Sequence, residues 1–113
     1  MKADENIARF IKAHEENDIA KGFSLFAGNM DEIRINRKNR KQYYIEVPSQ
    51  SSNGSYNVSL NVLANNIEGS CECITYEKYG QCKHVIAAAL YLLMDEFDYD
   101  TDKLKELIDI KIA

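Results

Sequence analysis

Four residues of this chain have the types and spacing of a metal site: Cys71-Glu72-Cys73, eight further residues, then Cys82-Lys83-His84. Thiolate sulfur and imidazole nitrogen are donors that zinc takes, and three plus one complete a tetrahedral shell of the closed, structural kind. Magnesium and calcium prefer oxygen, so a sulfur-rich set selects against them. In an extended strand, residues two apart point to the same side. Cys71 and Cys73 therefore present two thiolates together, with Glu72 turned away. In a helix, residues two apart diverge around the axis. Cys82 must then lie on an entry turn, with His84 in the first helical turn and Gly80 supplying freedom for the turn. A three-thiolate site carries about −1 net charge, which a helix N-terminus favours. Lys83 and Lys78 add to that field.

Other chemistries fit these residues less well. All three cysteines and one of the two histidines fall within fourteen residues, which chance burial does not explain. A catalytic zinc keeps an open coordination position, and four good ligands leave none. A Cys82–His84 nucleophile pair lacks a third residue to orient the histidine. The Cys-x-x-Cys that the zinc-deaminase signature requires is absent. We expect one structural zinc and no enzymatic activity.

The elements that must position the ligands come from a chain of 113 residues, 45% hydrophobic and 28% charged, with one proline. That length and composition suit one soluble domain over 1–113. Within it we expect an N-terminal helical segment (1–29), a zinc-binding core (30–97) and an acidic C-terminal helix (98–113). Ile7, Phe10, Ile11 and His14 recur at helical spacing, which predicts a helix from Asp4 to Asn17, with His14 on its polar border. A second helix, Asp18 to Ala27, would turn Ile19, Phe23 and Phe26 inward and end at Gly28. Ile33 and Ile35 alternate with charged residues, and Tyr43–Val47 reads as a strand that stops at Pro48. Residues 49–55 form a turn by composition. Tyr56, Val58, Leu60 and Val62 alternate with polar residues, Asn65-Asn66 makes a turn, and Ile67–Cys73 returns antiparallel. A helix from Cys82 to Phe97 is apolar on nearly every side and must be covered on more than one face. A break at Tyr99–Asp102, capped by Thr101 or Asp102, leads to a last helix with Leu104, Leu107 and Ile108. The fold class expected is α+β: an antiparallel sheet of three or four strands, a zinc knuckle at one end, and helices packed on one face.

The formal charge is −4, and zinc on three thiolates makes it about −5. An acidic balance disfavours indiscriminate nucleic-acid binding. The charge is uneven, however. Arg34, Arg37, Lys38, Arg40 and Lys41 form a basic stretch beside Tyr43 and Tyr44, with no acid among them. It reads either as a phosphate-contacting, base-stacking segment or as a solvated hairpin end whose charges protect a sheet edge. Three cysteines, an odd count, argue against a disulfide scaffold and for a reducing, intracellular setting. The longest apolar run, Val85 to Met94, is ten residues, about half of a membrane span. The mixed-charge N-terminus has no secretory signal character. No membrane association is expected.

The run Ser70-Cys71-Glu72-Cys73 … Gly80-Gln81-Cys82-Lys83-His84-Val85-Ile86-Ala87 resembles the SWIM zinc finger, a family named from chromatin-remodelling ATPases and plant Mutator-type transposases. The similarity extends to Tyr43–Val47 and Tyr56–Val62, and more loosely to Ala20-Lys21-Gly22. One departure is Ile74, where members often carry proline; it affects the loop and not the ligands. The resemblance implies a ββα-like zinc module used for protein or DNA binding. Stand-alone members resemble partners of recombinase paralogues in homologous recombination. The expectation is therefore a protein-interaction module, a subunit of a DNA recombination or repair complex, with the Ala-rich helix and flanking strands as interface. The alternative is a direct DNA-binding protein that uses segment 34–41.

Overall fold

A computed structural model describes residues 3–39, 41–48, 54–63, 66–73 and 82–112, without the side chains of Arg37 and of 109–112. The readings of residues 49–53, Asn65, Ile74, Lys78 and Gly80 lie outside the described residues. The described elements run α1 (Ala3–Lys12), α2 (Glu16–Gly28), β1 (Arg34–Asn39), β2 (Gln42–Pro48), β3 (Ser55–Val62), β4 (Ile67–Cys71), α3 (Lys83–Phe97) and α4 (Thr101–Ile112). This is the α+β class expected.

The strands form a four-stranded antiparallel meander in the order β1-β2-β3-β4. Alternation along each strand decides which face is covered. Tyr43, Ile45 and Val47 on β2 and Val58, Leu60 and Val62 on β3 are buried toward the helices. Gln42, Tyr44 and Glu46, with Ser59 and Asn61, take the opposite face. In β1 a bulge between Ile35 and Arg37 changes this parity. Ile35 stands opposite Ile45, but two steps along it is Lys38, not Arg37, that stands opposite the inward Tyr43.

Helix α3 is the centre of the molecule. His84 to Leu90, Leu92 and Leu93 are all buried, because α3 meets β2, β3 and β4 on one side and α1, α2 and α4 on the others. Most of the apolar surface of α3 is thus covered within the fold, with Tyr91, Met94 and Phe97 half-buried. Gly22 is what lets α2 come so close. A Cβ there would lie 2.5 Å from Ile86 Cγ2 and 3.1 Å from the Lys83 carbonyl oxygen.

The ends of the N-terminal helices differ from the sequence expectation. α1 carries Asp4 and Glu5 in its first turn and Arg9 and Lys12 in its last, which complements the helix dipole. It stops at Lys12 rather than Asn17. His14 Nδ1 pairs with the Phe10 carbonyl at 2.9 Å, and its ring meets Phe10 edge-on at 4.9 Å. The histidine placed on a polar border thus occupies a C-terminal carbonyl and helps end the helix. In α2 it is Gly22, Leu25 and Phe26, with Ile19, that are buried, while Phe23 is only half-buried. Toward the C-terminus, Asp98 adopts φ 60° and closes α3. The cap of α4 is Asp100, not Thr101 or Asp102: its Oδ1 accepts the Lys103 N–H at 2.7 Å.

Candidate metal centre

The four ligands arrive from two directions. β4 delivers Cys71 on the inner face of the sheet, opposite Val58. The strand ends there, and the chain bends through Glu72 and Cys73. The pair Cys71 and Cys73 is therefore presented by a strand end plus a bend rather than by one continuous strand. From the other side, Cys82 is the extended residue just before α3, at φ −163° and ψ 165°. His84 is the second residue of the helix, so the entry-turn arrangement deduced from the Cys-x-His spacing is the one observed.

The sulfur and imidazole nitrogen donors of Cys71, Cys73, Cys82 and His84 all lie within 4.8 Å of one another. That spread is on the scale of a tetrahedral zinc shell, whose sulfur–sulfur edge is about 3.8 Å for bonds of about 2.3 Å. Cys73, Cys82 and His84 are 4%, 1% and 6% exposed, and Cys71 is half-buried. Nδ1 of His84 is buried with no hydrogen-bond partner. An unsatisfied buried group costs about 1–3 kcal/mol, and a metal ligand is the role in which a histidine among three thiols escapes such a cost. Tyr56, on the inner face of β3, lays its ring against the imidazole, with centroids 4.8 Å apart. Asp18 and Lys21 of α2 line a small recess beside Cys82, Lys83 and His84.

The electrostatics favour deprotonation on the helix side. The hydrogen bond from the Cys71 thiol pulls the Cys82 thiol down to about 4, against the opposing effect of burial. The His84 side chain, the Val85 amide in the first turn of α3 and Cys73 act in the same direction. The same Cys71–Cys82 bond, followed by burial, drives Cys71 the other way, well above the usual thiol range. A zinc ion held here would need Cys71, Cys73 and Cys82 all as thiolates, so its binding would release thiol protons. The residues present fit one structural zinc, and together they leave no coordination position for a substrate.

The basic stretch is a different case, for the structure does not gather it into one strip. Arg34 stands opposite Glu46, Arg37 opposite Tyr44, and Lys38 opposite Tyr43. The bulge thereby sends Lys38 to the helix side, where Nζ pairs with Glu96 of α3 at 3.3 Å and lies 5.4 Å from the Tyr43 ring centroid. The Glu96 carboxylate holds the Lys38 pKa above its ordinary value. Lys41 is exposed in the turn, and Arg40 lies outside the described residues. Two contributors to the metal region escaped the residue-by-residue reading: Tyr56, against the imidazole, and Gly22, at the crossing of α2 and α3. Only Gly22 left a trace, through the loose similarity around Ala20-Lys21-Gly22.

Among the described residues, no helix is long and apolar enough to cross a membrane. Residues 56–93 match the family model of the SWIM zinc finger, a span that begins in β3, holds all four ligands and ends in α3. No curated protein and no solved structure matches the chain.

Proposed function

We propose that this chain, as the carrier of a SWIM zinc finger, is a non-enzymatic protein-interaction module that serves as a subunit of a DNA recombination or repair complex. The observation that carries the reading is the closed Cys71-Cys73-Cys82-His84 set, buried but for the half-buried Cys71. A complete shell leaves zinc nothing to do but hold structure, so function falls to the surfaces it organises. With α3 largely covered, one surface open to a partner is the outward face of the sheet, where Tyr44, Ser59 and Asn61 stand. The family resemblance supports a recombinase paralogue as partner and an intracellular location.

Affinity purification of the tagged chain with mass spectrometry tests this. A stoichiometric recombination or repair protein is expected, and Tyr44→Asp should release it while thermal stability is retained. Recovery of no such protein, or equal recovery with the Tyr44→Asp chain, would end the proposal. The DNA-binding reading has less support, because Lys38 is tied to Glu96 and the chain is acidic. It requires salt-dependent DNA retention that falls when Arg34, Arg37, Lys38, Arg40 and Lys41 are neutralised.

A further inference from the structure

We propose that Glu72 is a positioning residue for the zinc ligands: its side chain takes over a main-chain hydrogen bond so that the strand can leave the sheet between Cys71 and Cys73. The register of β3 and β4 runs from Val62 opposite Ile67 to Val58 opposite Cys71. One step further, Asn57 would stand opposite Glu72. The Val62 N–H is donated to the Lys41 carbonyl on the β2 side. N–H groups alternate in direction along a strand, so the Asn57 N–H points toward β4.

In a continued ladder the Glu72 carbonyl would accept that N–H. Instead β4 ends at Cys71, and the acceptor is Oε1 of Glu72, at 2.8 Å. A side-chain oxygen thereby takes the place of the main-chain carbonyl. The chain can therefore bend one residue early while the exposed Asn57 amide keeps a protein acceptor, and the bend carries Cys73 into the site at 4% exposure. It also turns the Cys73 amide onto the Cys71 sulfur. The residue between the two cysteines, turned away from the metal, is in this way part of how the metal is held. The inference rests on the zinc site and is independent of what the module binds.

Three substitutions separate reach from charge. Glu72→Gln keeps an acceptor oxygen at the same length. Glu72→Asp keeps the charge but is shorter by one methylene, and Glu72→Ala removes both. Zinc affinity is read by competition with a chromophoric chelator, and exchange of the Asn57 amide is read on the zinc-loaded chain. Glu72→Ala and Glu72→Asp should raise the zinc Kd by about 10-fold, the low end of the effect of outer-shell partners, with faster exchange at Asn57. Glu72→Gln should match the parent in both. An Asp variant that binds zinc as the parent does would overturn the proposal, as would a Gln variant as weak as the Ala variant. Should the Ala variant fail to fold at saturating zinc, the Asp and Gln pair decides alone.

Discussion

Gly22→Ala places a methyl group at the crossing of α2 and α3, and its effect can be worked out from the distances there. The new Cβ would sit 2.5 Å from Ile86 Cγ2, 2.6 Å from Ile86 Cβ and 3.1 Å from the Lys83 carbonyl oxygen. Carbon atoms prefer about 3.5–4.0 Å, so the helices must separate by about 1 Å. Ile86 is β-branched and fully buried, and the carbonyl belongs to the helix backbone, so neither yields easily. Overpacking of this kind costs about 1–3 kcal/mol. Alanine offsets about 1 kcal/mol of that, since it is the better helix former. With the clash at the upper end, the net loss is about 2 kcal/mol, or roughly 8 °C in Tm for a domain of this size. Lys83 and Ile86 flank His84, so a displaced α3 should also weaken zinc binding. Denaturant unfolding at saturating zinc measures the first effect and chelator competition the second. Ile86→Ala in the same chain should recover part of the loss, giving a coupling above about 0.5 kcal/mol in a double-mutant cycle. A Gly22→Ala chain about 1 kcal/mol more stable than the parent, as helix propensity alone requires, would refute the reasoning.

Two further outcomes follow from the metal region and from the contact of Tyr99, between α3 and α4, with α1. Cys82→Ser, or a strong chelator, should loosen or unfold the segment from residue 71 to 97, because structural zinc binding in finger peptides is worth about 10–16 kcal/mol against a typical domain stability of about 5–15 kcal/mol. Circular dichroism and Tm unchanged after verified metal removal would contradict this. The Tyr99 hydroxyl donates to Asp4 Oδ2 at 2.9 Å, and burial first, then that bond and the charges of Asp4 and Glu5, push its pKa up to about 12. The folded chain therefore holds the phenol proton longer than the unfolded chain. The associated stability is fully present below about pH 10 and is lost as pH rises toward about 12. Tyr99→Phe should be less stable by about 1 kcal/mol at neutral pH and should lack this contribution to the alkaline decline, measured by unfolding curves from pH 8 to about 12.

The parts legible in the sequence are those where one constraint dominates. Tetrahedral ligation leaves few ways to place Cys-x-Cys and Cys-x-His, so the site could be read from spacing alone. A helix apolar on all sides has to be central, and α3 is. The alternation of Tyr56, Val58, Leu60 and Val62 gave β3 its inner face for the same reason. What escaped depended on contacts distant in sequence or on local competition. The bulge at Ile35/Arg37 inverts the parity of β1, and no residue in Arg34–Asn39 announces it. Lys38 consequently finds Glu96, fifty-eight residues away, and the basic stretch is divided. At the break before α4, three successive candidates can cap the helix, Asp100, Thr101 and Asp102, and only the backbone path selects Asp100. His14 followed the apolar period of α1 yet serves to stop it.

The central position of α3 has a consequence for the order in which the chain is made. α2 buries Ile19, Leu25 and Phe26 largely in contact with a helix that lies on the far side of the sheet in sequence. Roughly seventy residues separate Gly28 from Phe97. At about 5–20 residues per second, the apolar side of α2 waits roughly 3–14 s during synthesis before its partner exists. The meander poses no such delay, because each strand pairs with its immediate successor. The ribosome thus delivers two helices without a lining, then a sheet that can assemble at once, and only then α3, the helix that joins them. The metal ligands stand at the junction between that sheet and α3, where closure of the shell turns sequential parts into one core.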